Sequence, residues 1–68
     1  MKKANYFLTK AQREFLIEEY MEQLEEFDQL EAYGYMEEEL RSMGNAEFYT
    51  YIVEFMPIYE DARFIPDI

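Results

Sequence analysis

The sequence predicts an all-α protein: a compact bundle of about three helices with an irregular, aromatic-rich C-terminal tail, in one small domain spanning residues 1–68. Three observations predict it. Apolar side chains recur at 3.6-residue spacing through the first half of the chain. Gly34, Gly44 and Pro57 divide the rest into lengths suited to short helices. Half of the residues are hydrophobic, with seven Tyr, six Phe and five Met, which is too apolar for a charged, disordered tail.

The first helix is expected to start near Lys10. Thr9, with Gln12 three residues on, reads as a capping box ahead of a periodic apolar run. Leu16, Ile17, Tyr20, Met21, Leu24 and Phe27 then share one side, and Glu14, Glu18, Glu19, Glu22, Glu25 and Glu26 the other. Gly34 is unfavourable inside a helix by up to about 1 kcal/mol, so the first helix should end or bend shortly before it. A shorter second helix follows, with Met36, Leu40 and Met43 inward, Glu37, Glu38 and Glu39 largely outward, and Arg41 near the end where the helix dipole favours a cation. Gly44 is the expected left-handed stop.

Asn45 is a suitable N-cap for a third helix over Ala46 to Met56. Phe48, Tyr49, Ile52, Val53, Phe55 and Met56 would form its apolar arc, opposite Glu47, Thr50, Tyr51 and Glu54. The run FYTYIV leaves a strand open there, but strand faces would mix Phe48, Thr50, Ile52 and Glu54, so helix is preferred. Pro57 ends regular helix, and the tail beyond it should pack back over the bundle. A short two-stranded pairing of Tyr6 to Leu8 with Phe64 to Ile65 is compatible with the sequence without being demanded by it.

A chain of 68 residues buries only about 60% of the surface its unfolded form exposes. Such small cores are usually helped by disulfides, a metal or self-association. Cysteine and histidine are both absent, which excludes disulfide frameworks, thiol chemistry and zinc sites and leaves a homodimer as the open route. The absence of histidine also excludes the Glu-x-x-His pairs of di-iron bundles, and no acidic loop has calcium-binding spacing. No cofactor is expected. The apolar run after Lys2 and Lys3 is too short for a signal peptide, and no stretch approaches the length of a membrane span, so a cytoplasmic protein is expected.

Enzymatic chemistry finds no support. Ser42 is the one serine and has no base beside it. The many carboxylates fall on a helix face expected to be solvated, where nothing would tune one of them as a general acid. Sixteen acids against six bases give a net charge of −10, which opposes direct binding to nucleic acid or to anionic membranes. The second and third helices have the outline of a helix-turn-helix, yet Ala46 to Met56 holds two glutamates and no base to meet phosphates.

The acids themselves are the distinctive feature. Glu14, Glu18, Glu19, Glu22, Glu25, Glu26, Asp28, Glu31, Glu37, Glu38 and Glu39 make eleven between Glu14 and Leu40, with no Lys or Arg among them. Solubility alone is better served by alternating Glu with Lys at i,i+4, which also stabilises the helix. Continued as one helix, Glu14 to Asp28 would place seven acids over about 21 Å, close to the charge spacing of one DNA strand. Thirteen Phe and Tyr exceed what one small core encloses, so Tyr35, Tyr51 and Tyr59 are expected to be partly exposed, with Tyr35 and Tyr51 as contacts for a partner.

Short length, no cysteine, extreme acidity and glutamate-striped helices together resemble, as a class and without a diagnostic motif, the small early proteins by which bacteriophages disable host machinery. Several of those proteins imitate DNA. The resemblance implies an inhibitor that occupies the DNA-binding surface of a basic host protein, such as a nucleoid protein, clamp, nuclease, repair enzyme or polymerase. The alternative is a helical module that homo-oligomerises or grips a partner helix, its acids serving solubility.

Overall fold

The computed structural model describes residues 7–68, which form four α-helices and two 3₁₀ turns and, among these residues, no strand. Helix α1 (Lys10–Glu26) begins as the sequence requires. The Gln12 backbone N–H donates to Thr9 Oγ1 at 3.1 Å, and the Thr9 N–H donates to Gln12 Oε1 at 2.9 Å, closing the capping box in both directions. Leu16, Ile17, Tyr20 and Leu24 are buried and Met21 is half-buried.

Phe27, expected inside, is 64% exposed. Helix α1 stops at Glu26, well before Gly34, because Asp28 enters the left-handed region at φ 60° and turns the chain away. Phe27 is thereby left exposed at the helix terminus. The connection then makes one helical turn, α2 (Leu30–Tyr33), which the sequence did not signal. Gly34 is right-handed, so its role is close approach: a Cβ there would lie 2.6 Å from the Leu30 carbonyl oxygen that accepts its N–H.

Helix α3 (Met36–Ser42) buries Leu40 completely and half-buries Met36 and Met43. Its end differs from expectation. Met43 is extended, and Gly44 is also extended at φ −71° and ψ 166°, serving as N-cap of α4 (Asn45–Phe55) instead of as a left-handed stop. Asn45 is consequently the first helical residue and not the cap.

A side chain from α1 does what the glycine was expected to do. Arg13 donates to the carbonyl oxygens of Leu40 at 2.9 Å and Met43 at 2.7 Å, satisfying acceptors that a helix end leaves open. It also donates to Asn45 Oδ1 at 3.0 Å, and its guanidinium lies 4.5 Å from the centre of the Phe48 ring.

The segment Ala46 to Met56 is helical through Phe55, which settles the helix-or-strand alternative. Phe48, Tyr49, Ile52 and Met56 are buried and Val53 is half-buried. Phe55 keeps 36% exposure while its ring meets Tyr20 at 4.6 Å. After Pro57 the tail folds through 3₁₀ turns at Pro57–Glu60 and Ala62–Phe64 and returns to the start of α1. Ile65 is buried, Thr9 Oγ1 donates to the Ile68 carbonyl at 2.7 Å, and Gln12 Nε2 donates to that of Pro66 at 2.9 Å. Among the described residues, the tail thus meets the start of α1 through side-chain bonds and not by strand pairing. Tyr6, part of the expected pairing, lies outside the described residues.

Candidate functional site

Eight of the eleven acids between Glu14 and Leu40 stand exposed: Glu18, Glu22, Glu25 and Glu26 on α1, Asp28 and Glu31 in the connection, and Glu38 and Glu39 on α3. The other three are engaged within the protein. Helix α3 lies beside α1, so Arg41 reaches Glu14 on α1 as well as Glu37 one turn back on its own helix, the latter at 3.1 Å. The hydrogen bond with Glu37, and then that with Glu14, holds the Arg41 guanidinium above its ordinary pKa. Glu19 lies within 3.5 Å of the Tyr59 hydroxyl, whose pKa is raised by burial and by that carboxylate.

The structure therefore divides the expected contact set. Glu14, Glu19 and Glu37 belong to internal contacts, and the continuous line from Glu14 to Asp28 is broken. Asp28 is off the helix, and the exposed run on the side away from the core is Glu18, Glu22, Glu25 and Glu26. Tyr35 is 65% exposed, in keeping with a contact role. Tyr51 is not a free contact. Its hydroxyl lies 2.9 Å from that of Tyr20, with the rings edge-to-face at 5.7 Å, and it closes the side of the core. Burial, followed by the bond to Tyr51, raises the Tyr20 phenol. Tyr59 is likewise half-buried, its ring edge-on to Phe15 at 6.1 Å.

Beside the exposed acids runs an open groove of about 410 Å³. Three of its lining residues are apolar: Ile17 is buried, Met21 half-buried and Leu30 42% exposed. Glu18, Glu22 and Glu25 border it from α1, and Glu14, Arg41 and Glu37 stand together at its lining. A second groove of about 540 Å³ is lined by Lys10, Arg13 and Arg41 among other residues. Glu14, Ile17 and Arg41 line both grooves, and beyond them the second carries Lys10 and Arg13 while the first carries Glu18, Glu22 and Glu25.

Sequence reasoning missed Arg13, although the signal was present: Arg13, Ile17, Tyr20 and Leu24 recur at the i, i+4, i+7 and i+11 spacing of one inward face. It also missed the groove, which depends on how Leu30 and α3 sit against α1.

No group of three or more Asp and Glu side chains that could hold a metal occurs among the described residues. No helix there is long and apolar enough to cross a membrane. What the geometry defines is a class, a small helical protein with an acidic face beside a groove of mixed charged and apolar lining. Comparison with family models, with curated proteins and with solved structures finds no match to this chain.

Proposed function

We propose that this is a non-enzymatic binding protein whose acidic face occupies the basic, DNA-binding surface of another protein and blocks it. The observation that carries the reading is the exposed acid run Glu18, Glu22, Glu25 and Glu26, uninterrupted by any base on α1 beyond Arg13. Like charges at i,i+4 cost helix stability. A surface serving solubility alone has no reason to bear that cost, whereas a surface that must resemble a run of phosphates does. Charge of one sign also accelerates encounter with a basic partner. Direct nucleic-acid binding is disfavoured by the same charge.

The test is a triple charge reversal, Glu18→Lys, Glu22→Lys and Glu25→Lys, used as bait against bacterial lysate. Wild type should retain basic, DNA-binding proteins that elute with salt and are displaced by duplex DNA. The variant should retain none of them while keeping its helical circular dichroism. Equal retention by the variant refutes the reading.

The exposed Phe27, Leu30, Tyr33 and Tyr35 favour a second reading, a module that associates through apolar contacts. Salt distinguishes the two. Screening shortens from about 10 Å at 0.1 M to about 3 Å at 1 M, so an electrostatic complex is lost over that range and an apolar one is retained.

A further inference from the structure

We propose that the groove lined by α1, by Leu30 of α2 and by Glu37 and Arg41 of α3 receives a basic amphipathic segment of the partner, its apolar side chains seated on Met21 and Leu30 and its Lys or Arg side chains meeting Glu18, Glu22 and Glu25. This rests on the acidic-face reading above and deepens it, because it states what the partner must present besides positive charge. Leu30 is 42% exposed and lies outside the buried core, yet it stands in a concave surface and not on a convex one. Exposed apolar side chains in a groove with charged neighbours are usual in protein-recognition sites.

Charge complementarity selects the occupant. A purely apolar segment would leave the bordering carboxylates facing it. A second copy approaching by the same groove would bring its own Glu18, Glu22 and Glu25 against these, which is repulsive. Arg41, lodged between Glu14 and Glu37 where it lines this groove, shows the kind of side chain the borders accept. Along α1 the groove border from Glu14 to Glu25 covers about 16 Å, enough for about three turns of a helix or about five extended residues.

Two synthetic peptides of equal length and charge test this. One combines Lys with Leu at i, i+3, i+4 and i+7 positions, and the other replaces each Leu with Ser. Titration calorimetry of wild type at moderate salt should give about tenfold tighter binding of the Lys/Leu peptide, the gain expected from covering the exposed parts of two apolar side chains. The Met21→Gln, Leu30→Gln variant should bind both peptides equally, at the wild-type affinity for the Lys/Ser peptide. If the double variant loses helicity, Leu30→Gln alone carries the test, and it should lose part of the preference.

Absence of any preference in wild type, or a preference that survives these substitutions, overturns the proposal while leaving the acidic-face reading intact. Failure of wild type to bind either peptide at low salt refutes that reading and this one together. A wild-type dimer in sedimentation that the Leu30→Gln change dissolves would assign the groove to a second copy and overturn the proposal.

Discussion

Replacing Arg13 with Ala should destabilise the protein more than any surface change, although nothing in its exposure or charge alone would single it out. Three consequences follow from the geometry. The carbonyls of Leu40 and Met43 lose charge-assisted donors at 2.9 and 2.7 Å, Asn45 loses its partner at 3.0 Å, and the Phe48 ring loses the cation above it. A hydrogen bond to a charged group is worth about 1.5 kcal/mol at its lower bound and a partly exposed cation–π contact about 0.5–1 kcal/mol. Water can replace part of this at a half-buried site, which leaves a loss of about 3 kcal/mol.

A chain of this length holds only about 3–10 kcal/mol in total, so the variant should melt on the order of 15 °C lower. Urea unfolding followed by circular dichroism measures the loss. Arg13→Lys is the informative companion, because one ammonium cannot span three acceptors and a ring, and it should recover no more than about half. A loss below about 1 kcal/mol in Arg13→Ala, or full recovery by lysine, would show that α3 needs no cap from α1.

Other outcomes follow from single sites. Asp28 sits at φ 60°, where an L side chain is disfavoured and glycine is not, so in urea unfolding Asp28→Gly should stabilise the fold by up to about 1 kcal/mol and Asp28→Val should destabilise it. The Tyr20 phenol is raised above its ordinary value of about 10 by burial, so its contribution to stability is complete below that pH and is lost as pH climbs past it, when the unfolded chain ionises and the folded one resists. Urea midpoints from pH 8 to 11 should fall less steeply in Tyr20→Phe than in wild type, and equal slopes would reject the assignment. Glu22→Lys turns repulsion from Glu18 and Glu26 into attraction, so it should stabilise the fold by about 0.5–1 kcal/mol while weakening capture of the basic partner, and unchanged stability would mean these carboxylates do not interact.

What the sequence disclosed was whatever depends on near neighbours. The capping box at Thr9 and Gln12, the inward set Leu16, Ile17, Tyr20 and Leu24, and the end of helix at Pro57 each follow from spacing within a turn or two. The errors fall where a distant contact decides. Gly44 carries the residue type of a left-handed stop, but Arg13, some 30 positions earlier, supplies the donors and removes the need. Phe27 follows the apolar period, but Asp28 turns the chain before any neighbour covers it. Tyr51 is partly exposed as expected from its place on the polar side of its helix, but the bond from its hydroxyl to that of Tyr20, 31 positions away, is not legible from spacing. Among the acids, the sequence showed the excess but not its division, since only the approach of α3 to α1 reveals that Glu14 and Glu37 are already paired.

That division bears on why the remaining acids are bare. Each of the three arginines has a fixed internal partner: Arg13 at the end of α3, Arg41 between Glu14 and Glu37, and Arg63 against Asp61 at 2.7 Å. Two of the three lysines, Lys2 and Lys3, precede the described residues, and Lys10 opens α1 beside the cationic groove. Arg13 and Arg41 are therefore placed where they join elements of the fold, and no base is placed among Glu18, Glu22, Glu25 and Glu26, where a single lysine would have stabilised α1 directly. A chain with so thin a margin of stability gains most from such a substitution. Its absence from that stretch is what the proposed binding surface requires, and the Glu22→Lys variant separates the two demands, since it should improve the fold and, under that proposal, impair binding.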